Sequence, residues 1–332
     1  MNNNSIEPEY AKLVSYIRNG LEEQCHYGLI VHLNKSGIIN KIGNDNDYKF
    51  YHRSCMKPLQ ISPLIDYNID KEFGITDEEL AVCAASHTGE LKHQEKVLSI
   101  LKKIGCSEND LLCLPHEPLS KKEAERLLLN NIKPSAVHNN CSGKHAAMLA
   151  ICRHFDFDIL NYNNLNHPLT KLITDKICDL CEVSKNDILI SKDGCGLPVI
   201  ATTLGALGKG FLNLYTNNKY SRLINAVKKY PYLAGGEGRL DSEIMNAGKN
   251  LISKVGACGL CVVVNIEKEE AIVFKIADSN MEARSFAVIN TIIERKWLKQ
   301  TDVHNSPVSI LYPKYILTQF GESVGKITMR TF

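Results

Sequence analysis

The pattern of apolar and polar positions predicts a helical middle with strands near both ends of the chain. The apolar run at 28–33 is typical of a strand, and residues 35–37 form its turn. Apolar spacings of three and four predict helices at 76–85, 89–104, 121–129, 143–155, 168–183, 204–212, 220–230 and 280–296, with a helix-like stretch at 54–67. Leu260–Asn265 and 271–277 predict an antiparallel hairpin with a polar turn.

This order of elements predicts the fold class. An early strand and a late hairpin around a helical middle indicate an α+β fold in which the two termini meet in one sheet. A doubly wound nucleotide-binding fold would alternate strands and helices throughout. We expect a single catalytic domain over residues 1–332, with the region around 70–200 as a candidate helical subdomain.

Composition and charge exclude several classes of partner. The 39 Lys and Arg residues nearly balance 37 Asp and Glu residues, for a net charge of +2, which gives no support for a nucleic-acid or membrane partner. No apolar stretch reaches the roughly 20 residues of a transmembrane helix. The first residues lack the apolar core of a signal peptide, so we predict a cytoplasmic protein. The 12 cysteines are then expected to be thiols or metal ligands.

A serine and a lysine three residues apart form the first candidate site. On a helix, Ser54 and Lys57 lie on one face, about 5–6 Å apart at Cβ. Pro58 is compatible with a helix that begins near Ser54, since first-turn amides need no partner. Such a pair supplies the nucleophile and base of serine acyl-transfer enzymes. The alternative is a solvated lysine one turn from a helix cap.

Two further segments follow along the chain in the same order as in lactamase-like serine enzymes. Ser86 lies in a polar loop between two predicted helices, and Lys254 precedes Gly256 just before the strand at Leu260. A second serine and a Lys-x-Gly segment at the sheet edge complete lactamase-like sites. A lysine before a strand is otherwise an ordinary solvated charge.

Glycine-rich polar segments suggest a metal site. Cys141 and Cys195 each lie in one, and two thiolates can bind zinc with His138, His145 or Lys144 as a third ligand and water as a fourth. Two buried thiols on structural turns are the alternative. A four-thiolate site is less favoured, because about 75 residues separate its two cysteine pairs; these are Cys178, Cys181, Cys258 and Cys261.

Taken together, these segments resemble one family. RSCMKPLQ, SHTGE, HNNCSGKHAAMLA, DGCGLP, GEGRLD and KVGACG match, in order, the Rhizobium-type L-asparaginases of the asparaginase II family, from about residue 28 to about residue 320. The resemblance implies a serine-β-lactamase-like fold with a central antiparallel sheet flanked by helices. It also implies a homodimer that hydrolyses L-asparagine to L-aspartate and ammonia.

The resemblance also implies roles for individual residues. It pairs Ser54 with Lys57 and Ser86 with Lys254, and it places zinc on Cys141, Lys144 and Cys195. Substrate-binding roles fall to Arg53, His138 and Asp193. The family commonly has an acidic residue where this chain has Cys258.

Three other functions compete with asparagine hydrolysis. A related serine amidohydrolase would act on glutamine or a lactam. A non-catalytic binding protein would use the same pocket, although both serines and both lysines are present. A structural zinc protein would unfold when the metal is removed.

Overall fold

The computed structural model describes residues 7–330, and its largest element is an eight-stranded sheet. Neighbouring strands are antiparallel in the order β10-β11-β1-β2-β9-β8-β7, and β3 also pairs with β2. A second sheet has the order β4-β6-β5. The strands are β1 (Ala11–Arg18), β2 (Leu21–Asn34), β3 (Gly37–Ile42), β4 (Phe50–Tyr51), β5 (Leu189–Lys192), β6 (Pro198–Thr202), β7 (Leu251–Val255), β8 (Leu260–Asn265), β9 (Glu270–Ile276), β10 (Tyr315–Leu317) and β11 (Ser323–Met329).

Most helices lie between β4 and β5 along the chain. They are α1 (Lys57–Gln60), α2 (Pro63–Asp66), α3 (Ile69–Glu72), α4 (Asp77–Cys83), α5 (Leu91–Lys103), α6 (Lys121–Leu129), α7 (Ser142–His154) and α8 (Pro168–Cys181). The later helices are α9 (Leu204–Tyr215), α10 (Ser221–Lys229), α11 (Pro231–Ala234), α12 (Leu240–Ala247), α13 (Met281–Glu294) and α14 (Gln300–His304).

Helices cover both faces of the large sheet. On one face, α13 packs against β9, β1 and β8, and its Phe286 and Ile289 share a core with Ile30. On the other face, α9 packs against β9, β2 and β8, and Phe211 joins the core that extends into the helical region. Because both faces are covered, β8 is buried along its whole length, which explains its nearly continuous apolar sequence.

The structure confirms the predicted α+β fold, with a central antiparallel sheet flanked by helices. The two ends of the chain meet in that sheet, since Val14 in β1 lies opposite Met329 in β11. The predicted hairpin is β8 and β9, and the eight predicted helices are present with small shifts at their ends. The stretch at 54–67 is less regular, because Pro58 and Pro63 each start a new one-turn helix.

The sequence prediction missed several strands. In particular, Lys254 was expected just before a strand but lies within β7, the edge strand of the large sheet. Across residues 7–330, no helix combines the length and the hydropathy needed to span a membrane.

Candidate active site

Four segments meet where β7 ends. A 3₁₀ turn, Arg53–Met56, carries Ser54 and leads into α1, which begins at Lys57. The loop after α4 carries Ser86, and β7 carries Lys254. Gly256 permits the close approach of β7 to the turn, because a Cβ atom there would lie 2.9 Å from Cys55 Sγ and 3.2 Å from His52 O. The backbone therefore brings together residues about 200 positions apart.

Ser86 lies between the two lysines. Its Oγ is 3.0 Å from Lys57 Nζ and 3.2 Å from Lys254 Nζ, and all three side chains are buried. A hydroxyl group can donate one hydrogen bond and accept others. Ser86 can therefore donate its proton to one lysine while it accepts a hydrogen bond from the other.

The surroundings of Lys57 make its neutral form easier to reach than that of an exposed lysine. Besides Ser86, its Nζ contacts the carbonyl oxygens of Ala85 at 2.7 Å and Asn140 at 3.0 Å. Burial lowers the pKa of Lys57 to about 8, and the positive charges of Lys144 and Lys254 act in the same direction. A neutral amine has two N–H groups for the two carbonyls, which leaves its lone pair for the Ser86 hydroxyl proton. Lys57 is thus suited to act as a base.

Lys254 has a different set of partners. Its Nζ contacts Ser86 Oγ, the Val255 carbonyl at 3.0 Å and Asp241 Oδ2 at 3.3 Å. These three acceptors, one of them a carboxylate, match the three N–H groups of an ammonium ion. Lys254 is thus suited to donate a hydrogen bond to Ser86.

Ser54 is more accessible than Ser86. It is partly exposed at the start of the 3₁₀ turn, whereas Ser86 is 3% exposed. Within residues 7–330, no hydrogen bond joins Ser54 Oγ to Lys57 Nζ; the serine that contacts Lys57 directly is Ser86. The expected separation into two Ser–Lys pairs is therefore replaced by a shared arrangement in which Ser86 contacts both lysines.

Arg53 lies at the rim of this site in an unusual backbone conformation. Its φ angle is 49°, in the left-handed region that non-glycine residues rarely adopt. Its Nε donates to Asp193 Oδ1 at 2.5 Å, and its Nη1 is 3.4 Å from Cys258 Sγ. Asp193 thus holds one edge of the guanidinium group, and the end that carries the two terminal nitrogens faces away from that contact.

The three expected metal ligands lie together. Lys144 Nζ is 3.2 Å from Cys195 Sγ, and Cys141 forms a hydrogen bond with Cys195. That hydrogen bond lowers the pKa of Cys195 and raises the pKa of Cys141, so Cys195 is the thiolate of the pair. Burial opposes the charge of Lys144, but the sulfur atoms of Cys195 and Cys141 raise its pKa overall.

These residues fit a metal ion by donor chemistry. Two sulfur donors and one nitrogen donor, all buried, suit a soft divalent ion such as zinc, provided that Lys144 gives up its proton when the metal binds. His145 lies beside Cys195 and forms a hydrogen bond with it, while its Nδ1 is 2.6 Å from the Tyr162 hydroxyl. Counting only His, Cys, Asp and Glu, residues 7–330 contain no group of three that could hold a metal. A three-ligand site here would therefore need Lys144 in addition to the two thiols.

His138 and the other cysteine pairs are placed differently from this cluster. His138 accepts a hydrogen bond from the Ser135 N–H at Nδ1, and its charge interacts with Glu123 and His87 rather than with the thiols. Its Nε2 is buried and unpartnered, so it can still serve a ligand. The disfavoured four-cysteine site does not form within the described residues, since Cys258 is exposed beside Arg53 while Cys261 is buried in β8.

Sequence reasoning missed Asp241 and the two carbonyl groups around Lys57. Asp241 belongs to the GEGRLD segment, which was noted for its similarity only. The sequence signal for its burial is that Asp241 is a polar residue in the first turn of a largely apolar helix. The carbonyls of Ala85 and Asn140 leave no signal in side-chain identity, because any residue supplies one.

Comparisons with known proteins identify the family of this chain. A family model described as L-asparaginase II matches residues 14–329, nearly the whole chain. Among solved structures, a β-lactamase from Mycobacterium bovis is similar at 13% identity and a TM-score of 0.43, over 82% of this chain and 95% of that one. At that score the likeness supports no statement about substrate or mechanism. No curated protein sequence matches the chain.

Proposed function

Because the chain belongs to the L-asparaginase II family and hydrolyses L-asparagine to L-aspartate and ammonia, we propose that it does so by serine–lysine catalysis. The observation that carries this proposal is the position of Ser86, within hydrogen-bonding distance of both Lys57 and Lys254. A side-chain amide is a poor electrophile, so its hydrolysis requires an activated nucleophile and a proton for the leaving nitrogen.

In the first half of the reaction, Ser54 is the nucleophile. Its Oγ forms a bond with the amide carbon, and its proton passes to Ser86 as Ser86 gives its own proton to the neutral Lys57, which it contacts. The leaving nitrogen then takes the proton of Ser86, and Lys57 returns a proton to Ser86. The carbon–nitrogen bond breaks, ammonia leaves, and an aspartyl ester remains on Ser54. The greater exposure of Ser54 supports this choice of nucleophile.

In the second half, water cleaves the ester. Lys57 accepts a proton from the attacking water, directly or through Ser86. The ester bond to Ser54 breaks as Ser54 Oγ regains a proton, and L-aspartate is released. Lys254 stays charged throughout, and its N–H stabilises the negative charge that develops on Ser86 while protons move.

Arg53 provides a charge for the substrate backbone. The two terminal nitrogens of its guanidinium group, one of which lies 3.4 Å from Cys258 Sγ, can bind the α-carboxylate of asparagine in a bidentate manner. Asp193 fixes the orientation of that group from the other side. We also propose that His138 and Asp193 are part of the substrate-binding site.

Activity is expected to rise with pH as Lys57 loses its proton. Its pKa is about 8, so below that pH the protonated form dominates and the base is missing. Above it, the neutral amine is available. We therefore expect kcat/KM for asparagine to increase tenfold per pH unit below pH 8 and to level off above it. A profile measured from pH 5.5 to pH 9 checks this, and a constant kcat/KM across that range would contradict a lysine base.

We also propose a zinc ion on Cys141, Lys144 and Cys195. When bound, it would supply a positive charge near the substrate's α-amino or carboxylate group. Elemental analysis of protein purified without chelator is expected to give about one zinc per chain. Cys141→Ala and Cys195→Ala should each lose it, whereas Cys178→Ala, a buried thiol elsewhere, should retain it.

The melting temperature without metal distinguishes this zinc from a structural zinc. Its removal is expected to raise KM for asparagine while the melting temperature changes little, since Cys141 and Cys195 are only two of the many side chains that form the larger of the two cores. A collapse of thermal melting on chelation would indicate a structural site instead. Wild-type protein without stoichiometric metal would rule out the zinc, while the serine–lysine chemistry would stand.

Substrate preference is tested by the release of ammonia from asparagine and glutamine, and by ring opening of a lactam. Asparagine is expected to be the best substrate by a clear margin in kcat/KM. Faster turnover of glutamine or of the lactam would reassign the enzyme to a related amidohydrolase, and no turnover of any of the three would favour a binding protein.

Two further predictions rest on the family resemblance and on composition. They are a homodimer and a cytoplasmic location. Light scattering of the purified protein tests the first, and cell fractionation tests the second.

A further inference from the structure

Asp241 is a fully buried acid beside the site. It lies near the start of α12 with 0% exposure, and its Oδ2 is 3.3 Å from Lys254 Nζ and 3.5 Å from the Val255 backbone nitrogen. Its Oδ1 is buried and has no hydrogen-bond partner among residues 7–330. A Cβ atom at Gly235 would lie 3.0 Å from that oxygen, so the loop before α12 covers it closely.

Such an arrangement costs stability. Burial removes both charges from water, and the oxygen without a partner forfeits its hydrogen bonds. An apolar pair of similar volume would often be as stable or more stable. The position of a carboxylate here is therefore better explained by what it does to Lys254 than by its contribution to folding.

The two lysines beside Ser86 differ in whether a carboxylate contacts them. Lys254 pairs with Asp241, whereas within the described residues Lys57 forms no ion pair with a carboxylate. The other titratable or charged groups that face Lys254 are two lysine or arginine side chains and two thiols: Lys57, Arg284 behind the strand, Cys55 and Cys261. The thiols are neutral when protonated, so none of these groups is a negative charge. Asp241 is therefore the group that can hold Lys254 in its charged form.

We propose that Asp241 is a positioning residue that keeps Lys254 charged and directed at Ser86, so that the two lysines have different tasks. Lys57 accepts protons, and Lys254 donates a hydrogen bond to Ser86 without giving up its proton. This inference rests on the proposed serine–lysine mechanism and adds the residue that makes its two lysines unequal.

The test is Asp241→Asn, which keeps the shape of the side chain and removes its charge. We expect kcat to fall by about 10²-fold with little change in KM, because substrate contacts are untouched. The substitution removes the negative charge that favours the ammonium form of Lys254 over the amine. Wild-type kcat/KM is expected to level off at high pH, whereas that of Asp241→Asn should fall again there, a change that a purely structural role would not produce.

A double-mutant cycle shows whether Asp241 acts through Lys254. In a Lys254→Met background, Asp241→Asn should cause no further loss of the residual turnover, since the group it positions is absent. Additive losses in that background would overturn the inference. If Asp241→Asn alone does not fold, the residual turnover of the double variant is compared directly with that of Lys254→Met, because the double variant has no unpaired buried charge. Equal turnover supports the inference, and a further loss overturns it.

The matched control is Asp70→Asn. Asp70 is also a buried, ion-paired carboxylate, but its partner is Arg222, away from the site. This variant should lose stability and keep its kcat and pH profile. If Lys254→Met retains wild-type turnover, the proposed mechanism itself fails. If Lys254→Met is inactive while Asp241→Asn has normal kcat and no fall of kcat/KM at high pH, only the role of Asp241 fails.

Discussion

Replacing Lys57 with methionine is expected to lower kcat for asparagine by about 10³- to 10⁴-fold while the protein stays folded. Methionine has a similar length and suits the buried position, since Lys57 is 0% exposed. It has no lone pair of comparable basicity, so neither Ser54 nor Ser86 can pass on a proton. Steady-state kinetics together with thermal melting measure both parts of this prediction.

The nucleophile and its base should behave as one unit. Ser54→Ala is expected to be about as damaging as Lys57→Met, and the double variant no worse than either, because such losses are strongly non-additive. Ser62→Ala is the matched control, as Ser62 is a buried serine on the same segment that only contacts the Leu59 carbonyl. A double variant much less active than both single variants would show that the two residues act separately.

Lys254→Met is expected to reduce kcat nearly as much, although this lysine is about 200 residues from Lys57 along the chain. Its N–H stabilises Ser86 as protons move, and removal of one such donor in a buried site costs about 10²- to 10³-fold. The effect should appear mainly in kcat, because Lys254 contacts Ser86 and not the ends of the substrate.

Lys275 offers a matched control for that variant. It is also a buried lysine in the large sheet, but its Nζ donates to the Ile276 carbonyl rather than to a serine. Lys275→Met should keep its kcat. Wild-type turnover by Lys254→Met would leave Lys254 as an ordinary lysine of an edge strand and would remove half of the proposed site.

The helices were predictable because each one carries its own signal. Thr76, for example, accepts from the Glu79 backbone N–H while the Glu79 side chain accepts from the Thr76 N–H, a capping box that is visible in four residues of sequence. The strands at the chain ends were not predictable in this way. β1 and β11 are stabilised by each other, with Val14 opposite Met329, and no local pattern reports a partner so distant.

The same distinction applies to the site. Spacing alone suggested that Ser54 and Lys57 form a pair, because residues three apart share a helix face. The contact of Lys57 with Ser86 depends on how the loop after α4 meets α1, which only tertiary packing determines. The family resemblance singled out the candidate residues, and the structure added the position of Ser86 between the two lysines and the presence of Asp241.

The most direct test is to identify the serine that carries the acyl group. Wild-type enzyme and Lys254→Met are mixed with asparagine, quenched in acid during turnover, digested with trypsin and analysed by mass spectrometry. Ser54 directly follows Arg53, so it begins a separate peptide from the one that contains Ser86. We predict an aspartyl ester on Ser54 and none on Ser86. An ester on Ser86, or turnover without any serine ester, would contradict the account.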